Sequence, residues 1–301
     1  MIRISRYISL LDVPQFSYPH CNCLWIEDDV NCLIDCSPAK SDVEFLKTRR
    51  VDMIINTHGH CDHILNNRDF PESKVLMHPA NREMVSSGDN LLKEYGFDRF
   101  GQHYENRGKV LEELFYRTSR IDLEINDKQV IDLGATRLQI LHLPGHSPGH
   151  CGMIFPGEGF IFTADMILSR FGPHYGTINA SIPDTLKSVQ ILLDMKPECI
   201  ICSHDDAIIK GGVVKRLFKF RDIIYERQRH IVELIQQGCH SIREIASAAP
   251  CYGPMLTADP RFIIWEQVMV MHHLEYLQSQ DYVFEDDGLY YLSPGTRVFN
   301  L

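Results

Sequence analysis

The sequence predicts an α/β protein, with two β-sheets packed face to face and helices outside them. Three observations predict it. Apolar runs of strand length recur along the first two thirds of the chain, and several end on a histidine or an aspartate. Stretches with helical spacing fall between them, such as Leu186, Val189, Ile191, Leu192 and Met195. Past about residue 212 the chain changes to long helices and one hairpin.

In order, Ile2 to Leu11, Cys21 to Glu27 and Val30 to Asp35 read as strands, with a hairpin turn at Asp28-Asp29. Ser41 to Arg49 reads as a short helix capped by Ser41, with Glu44 three residues on. Val51 to Asn56 is a buried strand, and a helix is expected at Ile64-Leu65. Lys74 to Met77 is another strand. Residues 80–128 break the pattern as a helical insertion carrying Tyr95, Phe97, Phe100, Tyr104, Phe115 and Tyr116. It is expected either to form a lid that contributes substrate contacts or to pack on the body or a second subunit. Strands around 130–165 resume the sheets, and a helix begins at Pro183-Asp184. Val213 to Gln237 is a long amphipathic helix stopped by Gly238. Ser241-Ile242-Arg243-Glu244 opens another with a capping-box pattern, and Pro260 precedes a third, Arg261 to Gln280. Tyr282 to Leu292 reads as a hairpin turning at Asp287-Gly288.

The chemistry gathers at strand ends. Val51 to Asn56 runs into Thr57-His58-Gly59-His60-Cys61-Asp62-His63, where His58 and His60 can point to one side and Asp62 and His63 fall in the following turn. Imidazole and carboxylate suit zinc or a similar borderline metal, and a cluster this dense can serve two ions. Arg137 to Leu143 leads into Pro144-Gly145-His146-Ser147-Pro148-Gly149-His150. Phe160 to Ala164 ends on Asp165, and Glu198 to Ser203 ends on His204. An isolated histidine is more often a packed or surface residue than a ligand, but seven such residues at successive strand ends point to a functional di-metal site. A structural zinc fits less well, because closed sites favour cysteine.

This ordered series resembles the metallo-beta-lactamase superfamily, whose signature is HxHxDH followed by a His, an Asp and a His at strand ends. The resemblance covers roughly the first two thirds of the chain. It implies an αββα sandwich over residues 1–212, with the insertion at about 80–128, and metal ligands at His58, His60 and His146 for one ion. Asp62, His63 and His204 would hold the second ion, with Asp165 bridging and Asp35 supporting. Two dications ~3.5–4 Å apart need an anionic bridge, and a shared water loses its proton near neutral pH. The resulting bridging hydroxide is the nucleophile, and Asp62 is the candidate to orient it. The three helices and hairpin of residues 213–301 resemble the winged-helix-like module that one subgroup of these hydrolases carries. Zinc is the expected ion, with iron and manganese also suited to His/Asp sets.

Composition bounds the partners. The chain has 301 residues, 44% hydrophobic and 23% charged, an ordinary balance for a soluble globular protein. No apolar stretch approaches the ~20 residues of a membrane span, and the N-terminal Met1 to Arg6 carries no secretory signal, so a cytoplasmic location with reduced thiols is expected for the ten cysteines. Cys199 and Cys202 form a C-x-x-C inside a strand and face opposite sides, which disfavours a redox or zinc role. Cys61 sits inside the metal motif at a position the resembled family fills with a non-ligand. The formal net charge of −10, with Arg261 and Arg297 the only Lys or Arg from 261 to 301, disfavours a nucleic-acid backbone as partner. Trp265, Val268, Met269, Met271, Leu274 and Leu277 look like packing residues, so the C-terminal segment is expected to dock on the catalytic domain, to close one wall of its pocket, or to form a homodimer.

The expected function is a di-metal hydrolase of a small-molecule ester, thioester or lactone. His20, His174 and Tyr175 are candidate substrate contacts, as is His150. Asp205 and Asp206 read as turn residues or caps. A phosphodiesterase or endoribonuclease is the alternative, and the same ligands do not exclude a mononuclear-iron sulfur dioxygenase.

Overall fold

The structure, a computed structural model, describes residues 1–295 apart from 16, 102, 103, 258 and 260. Pro260 and Arg297 therefore lie outside the described residues. One sheet holds β1 (Ile2–Arg3), β2 (Ile8–Leu11), β3 (Cys23–Ile26), β4 (Cys32–Ile34), β5 (Met53–Ile55), β6 (Lys74–Met77) and β7 (Leu123–Glu124), in that spatial order. A second holds β8 (Val130–Asp132), β9 (Arg137–His142), β10 (Cys151–Phe155), β11 (Phe160–Ala164), β12 (Cys199–Cys202) and β13 (Ile208–Lys210). A separate hairpin pairs β14 (Val283–Asp286) with β15 (Leu289–Leu292). The ten α-helices among the described residues are α1 (Lys40–Lys47), α2 (Cys61–Ile64), α3 (Arg82–Ser86), α4 (Gly88–Glu94), α5 (Phe97–Phe100), α6 (Arg107–Glu113), α7 (Ile182–Met195), α8 (Val213–Gln236), α9 (Ile242–Ser247) and α10 (Phe262–Ser279).

The alternation along β3 shows how the sequence makes a sandwich. Leu24 and Ile26 point into a core shared with Ile140, Met153 and Phe162 of the second sheet, while Cys23 and Trp25 point outward to Leu46 of α1. The second sheet repeats this: Ile161, Ile200 and Cys202 face α7 and the first half of α8. Cys199 lies against the inner core and Cys202 against the outer one, as a two-residue strand period requires. Helices lie outside both sheets, which is the α/β sandwich that the sequence predicts.

Several boundaries differ. Ile2 to Leu11 is two strands, because Ile4 and Ser5 N–H both donate to the Ile8 carbonyl and fold β1 back on β2. Ser41 is not a cap. Ala39 takes the extended N-cap conformation, and Ser41 already lies inside α1. α7 begins at Ile182, one residue before the expected start, because the Ser181 side chain accepts from Asp184 N–H. On that helix Val189 and Leu192 are buried, whereas Ile191 and Met195 are 39% and 38% exposed and fall outside the apolar face.

Beyond the second sheet, α8 runs for 24 residues. Its first half packs with α7, and its second half joins α9, α10 and the hairpin in a core built on Ile231, Ile235, Ile245, Leu274 and Val283. The capping box at Ser241 and Glu244 is formed, and the hairpin turns through positive φ at Asp287 and Gly288. The insertion packs Leu91, Phe97, Val110 and Leu114 against Cys61 and against Ile264 of α10, and its last residues enter the first sheet as β7. No helix among the described residues is long and apolar enough to cross a membrane.

Candidate metal centre

His58 and His60 follow β5, His146 follows β9, Asp165 follows β11 and His204 follows β12, whereas Asp62 and His63 lie in the short helix α2 rather than in a turn. Left-handed backbone occurs at four positions around them. Asp35 follows β4 at φ +58, Ala164 ends β11 at φ +47, and Asp205 follows His204 at φ +56. Gly145, at φ +136, precedes His146. A Cβ on Gly145 would meet the backbone N of Thr185 at 2.5 Å, so only glycine fits here. Ala164 has no polar side chain to offset its conformation. A register shift between Phe162 and Ala164 accompanies it and turns Asp165 into the site.

The structure brings the seven predicted donors together in two clusters. His58, His60, His146 and Asp165 form one, and Asp62, His63 and His204 the other. Asp165 touches both. Its Oδ2 lies 3.4 Å from His146 Nε2, and its Oδ1 lies 3.1 Å from His63 Nε2 and 3.5 Å from His204 Nε2. Asp62 Oδ2 is 3.3 Å from His204 Nε2.

Hydrogen-bond bookkeeping tests whether cations belong there. Thr57 Oγ1 lies 2.9 and 3.1 Å from the two Asp35 oxygens, so its proton goes to the carboxylate and its lone pair accepts His58 Nδ1–H at 3.0 Å. His146 Nδ1–H donates to the His174 carbonyl at 2.8 Å. Both rings therefore leave Nε2 bare, and these two lone pairs face each other at 3.2 Å. His60 Nδ1 stands 2.9 Å from each, so one proton on it satisfies at most one of them. In the second cluster His63 Nδ1–H donates to Asp35 Oδ2 at 2.8 Å, which turns Nε2 toward Asp165 Oδ1 at 3.1 Å, where either a proton or a metal ion must sit. Acceptors buried against acceptors call for a cation. Nitrogens held ~2.0–2.1 Å from one tetrahedral zinc would stand about 3.3 Å apart, close to the spacing seen. The residues fit a metal pair.

The electrostatics agree. Burial holds the pKa values of His58, His60 and His146 below the usual imidazole range, so all three present neutral rings. Burial opposes ionisation of Asp165, but His63 and His204 overcome it and keep the carboxyl well below its ordinary value. Asp62 is held at about 2: burial raises it, and His63 and His204 more than compensate. Burial disfavours charge on His63 as well, yet Asp165 and Asp35 hold its pKa well above normal, so a proton competes with metal there.

The remaining candidates divide. His174 joins the site twice, through its carbonyl on His146 and through a ring that lines the cavity with Nε2 2.8 Å from the Tyr252 hydroxyl. Tyr175 is fully buried, bonded to His273 and Arg227, and does not line the cavity. His20 is half-buried and also stays out of the lining, although its neighbour Tyr18 reaches it. His150 is interior: its ring joins the Leu143 carbonyl at 2.9 Å and accepts Asp165 N–H at 3.2 Å, so it positions the shared carboxylate from behind. Cys61 packs in the insertion core, and Cys21, although near Asp35 and His63, is a buried thiol whose pKa burial pushes up. Asp205 and Asp206 lie on the cavity rim, Asp206 within 3.6 Å of Arg216.

The two donor clusters floor a cavity of about 1260 Å³ through His60, Asp62, His146, Asp165 and His204. Its walls include Tyr95 from the insertion, Phe171 from the loop after β11, and Tyr252, Phe262 and Trp265 from the C-terminal segment. Trp265 packs against two apolar cores, as the sequence predicts, and also faces the cavity, whereas no sequence pattern singles out Tyr252. The aromatic density of the insertion was the one available signal for Tyr95.

Comparison with known proteins gives a consistent picture. The family model of the metallo-beta-lactamase superfamily matches residues 19–204. A metallo-beta-lactamase fold-containing protein of Sulfurisphaera tokodaii is 25% identical over 207 residues, covering 62% of this chain and 70% of that protein. A hydroxyacylglutathione hydrolase of Pelagibacter ubique is 25% identical over 143 residues, 47% of either chain, so the chain spans about half the length of that relative. The crystal structure of a metallo-beta-lactamase family protein from Thermus thermophilus superposes with a TM-score of 0.77 at 19% identity, covering 96% of this chain and 100% of that one.

Proposed function

The chain belongs to the metallo-beta-lactamase superfamily and is a metal-dependent hydrolase, and from that premise we propose that it cleaves an acyl thioester, or a related ester or lactone, with a pair of divalent ions. His58, His60 and His146 would hold one ion and Asp62, His63 and His204 the other, with Asp165 between them. Such a pair supplies Lewis acidity and lowers the pKa of bound water toward ~7. Zinc is the ion assigned first, on the strength of the histidine-rich first cluster.

The observation that carries this reading is the shared carboxylate of Asp165, set between two donor clusters at the floor of an aromatic cavity. Asp62 lines the cavity as an ionised carboxylate, placed to accept a proton from a water and fix its direction. Tyr95, Phe171 and Trp265 exclude water and suit an apolar acyl group. The hydroxyacylglutathione hydrolases among the relatives favour the thioester within this class. A phosphodiesterase would use the same donors, and Arg170, Arg216 and Lys219 stand beside Asp205, Asp206 and Glu226 at the cavity, so it is the net charge of −10 and the relatives, rather than the lining, that rank it second. In the same proposal residues 213–301 form a winged-helix-like unit whose role is to wall the cavity, and the ten free cysteines accord with a reducing cytoplasm.

The test is turnover of a panel of acyl thioesters and lactones against a model phosphodiester by the metal-loaded protein, with Asp165→Ala as control. Carbonyl turnover that Asp165→Ala abolishes supports the proposal. Phosphodiester turnover alone overturns it.

A further inference from the structure

The loop after β11 carries the carbonyl that fixes His146, and the C-terminal helices grip that loop. Arg227 of α8 is 4% exposed, and its guanidinium donates to four oxygens, none of them a carboxylate's. Nη2 reaches the Phe171 carbonyl at 2.6 Å and Nη1 the Pro173 carbonyl at 2.6 Å, so a single planar fork spans the stretch just before His174. The remaining bonds go to the Tyr175 hydroxyl at 3.1 Å and the Cys251 carbonyl at 3.5 Å. Further along the loop, His272 Nε2 of α10 joins the Thr177 carbonyl at 2.8 Å.

A buried carboxylate completes the grip. Glu266 is fully buried and accepts the backbone N–H groups of Cys251 and Tyr252 at 2.9 and 2.7 Å. Its negative charge and the positive charge of Arg227 thus hold opposite sides of one short segment. That segment presents the Tyr252 hydroxyl to the His174 ring. Both the carbonyl and the ring of His174 are located from the C-terminal side. The cost of burying two charges is met by main-chain groups whose positions they determine.

We infer that Arg227 is a positioning residue for the first metal ion. It keeps the His174 carbonyl on Nδ1 of His146, and so keeps the lone pair of Nε2 aimed at the cluster. The inference rests on the assignment of His146 as a ligand in the proposed function. Loss of an outer partner of a ligating histidine costs ~10–100-fold in metal affinity. No described bond joins the gripped stretch, residues 171–177, to Asp62, His63 or His204, so the effect falls on one ion of the two.

The test is a cobalt(II) titration of the full-length protein, followed by its visible spectrum, for wild type, Arg227→Ala and His146→Ala. His146→Ala identifies which binding step belongs to the first cluster. The expected result is that Arg227→Ala weakens that same step ~10–100-fold, leaves the other step in place, and recovers on addition of millimolar guanidinium. Should Arg227→Ala fail to fold by far-UV circular dichroism, Arg227→Lys keeps the charge and one carbonyl bond and is expected to give a smaller loss at the same step. Equal weakening of both steps, or an unchanged first step in a folded variant, overturns the inference. If His146→Ala itself leaves both steps intact, the ligand assignment is wrong and the inference falls with it, a result distinct from failure of Arg227 alone.

Discussion

Asp35 Oδ2 stands 2.8 Å from His63 Nδ1 and fixes which nitrogen of that ring carries the proton. The same carboxylate accepts Thr57 N–H at 2.8 Å on its other oxygen, so neither oxygen can become an amide NH₂ without a clash or a reversed bond. Asp35→Asn should therefore push the proton of His63 to Nε2, the atom that faces Asp165. Asparagine tolerates the left-handed backbone at this position, so the fold should survive. The expected outcome is a ~10–100-fold loss of metal affinity at the second cluster, read by metal titration. Unchanged affinity would show that the tautomer is set elsewhere.

Metal removal should cost stability, because the bare nitrogens of His58 and His146 are left facing each other. At free metal a hundredfold above its dissociation constant the linkage is worth about 2.7 kcal/mol per site. For a chain this long, that corresponds to a fall in Tm of about 4 °C for each ion that chelator removes. A melting curve indifferent to chelator would count against a preformed site.

Gly145→Ala probes the close approach at the first cluster. The new methyl would collide with the backbone of Thr185 and force φ away from +136. A backbone neighbour cannot rotate aside, so a loss of about 2–4 kcal/mol in unfolding free energy is expected, together with weaker metal binding through His146. Urea denaturation and metal titration check the two effects. A wild-type midpoint would mean that α7 shifts freely.

His150 gives a pH dependence with a definite sign. Burial holds its pKa down to about 3, below the ~6.5 of an unfolded histidine. The folded state therefore favours the neutral ring. The stability this ring contributes is complete above pH ~6.5 and is lost as pH falls from there toward 3, by about 1.4 kcal/mol per pH unit. His150→Gln keeps an acceptor for Asp165 N–H but takes up no proton. Unfolding free energies at pH 7, 6 and 5 should fall more steeply for wild type than for the variant, and parallel slopes would refute the assignment.

The clustering of the donor side chains was legible because it is local. A strand of period two delivers its next polar residue to a sheet edge, so His58, His146, Asp165 and His204 could be placed from the runs before them. The capping box at Ser241 and the turn at Asp287-Gly288 were legible for the same reason. The cavity walls were not. Tyr252 meets His174 across 78 positions, and Arg227 meets Pro173 across 54. No short-range pattern encodes such pairings, and Tyr175 accordingly looked like a substrate contact although it is interior. Nor did anything near Ala164 announce a left-handed residue, since alanine is a poor choice for that conformation and only the register shift explains it.

The course of α8 bears on how the chain comes apart. One uninterrupted rod, roughly 36 Å long at ~1.5 Å per residue, is rooted at one end beside α7 and at the other in the core with α9 and α10. Unfolding either core strips half the helix of its burial and leaves the other half to hold it alone. The two cores should therefore melt together in one calorimetric transition, and no protease cut near residue 212 should release a stable fragment.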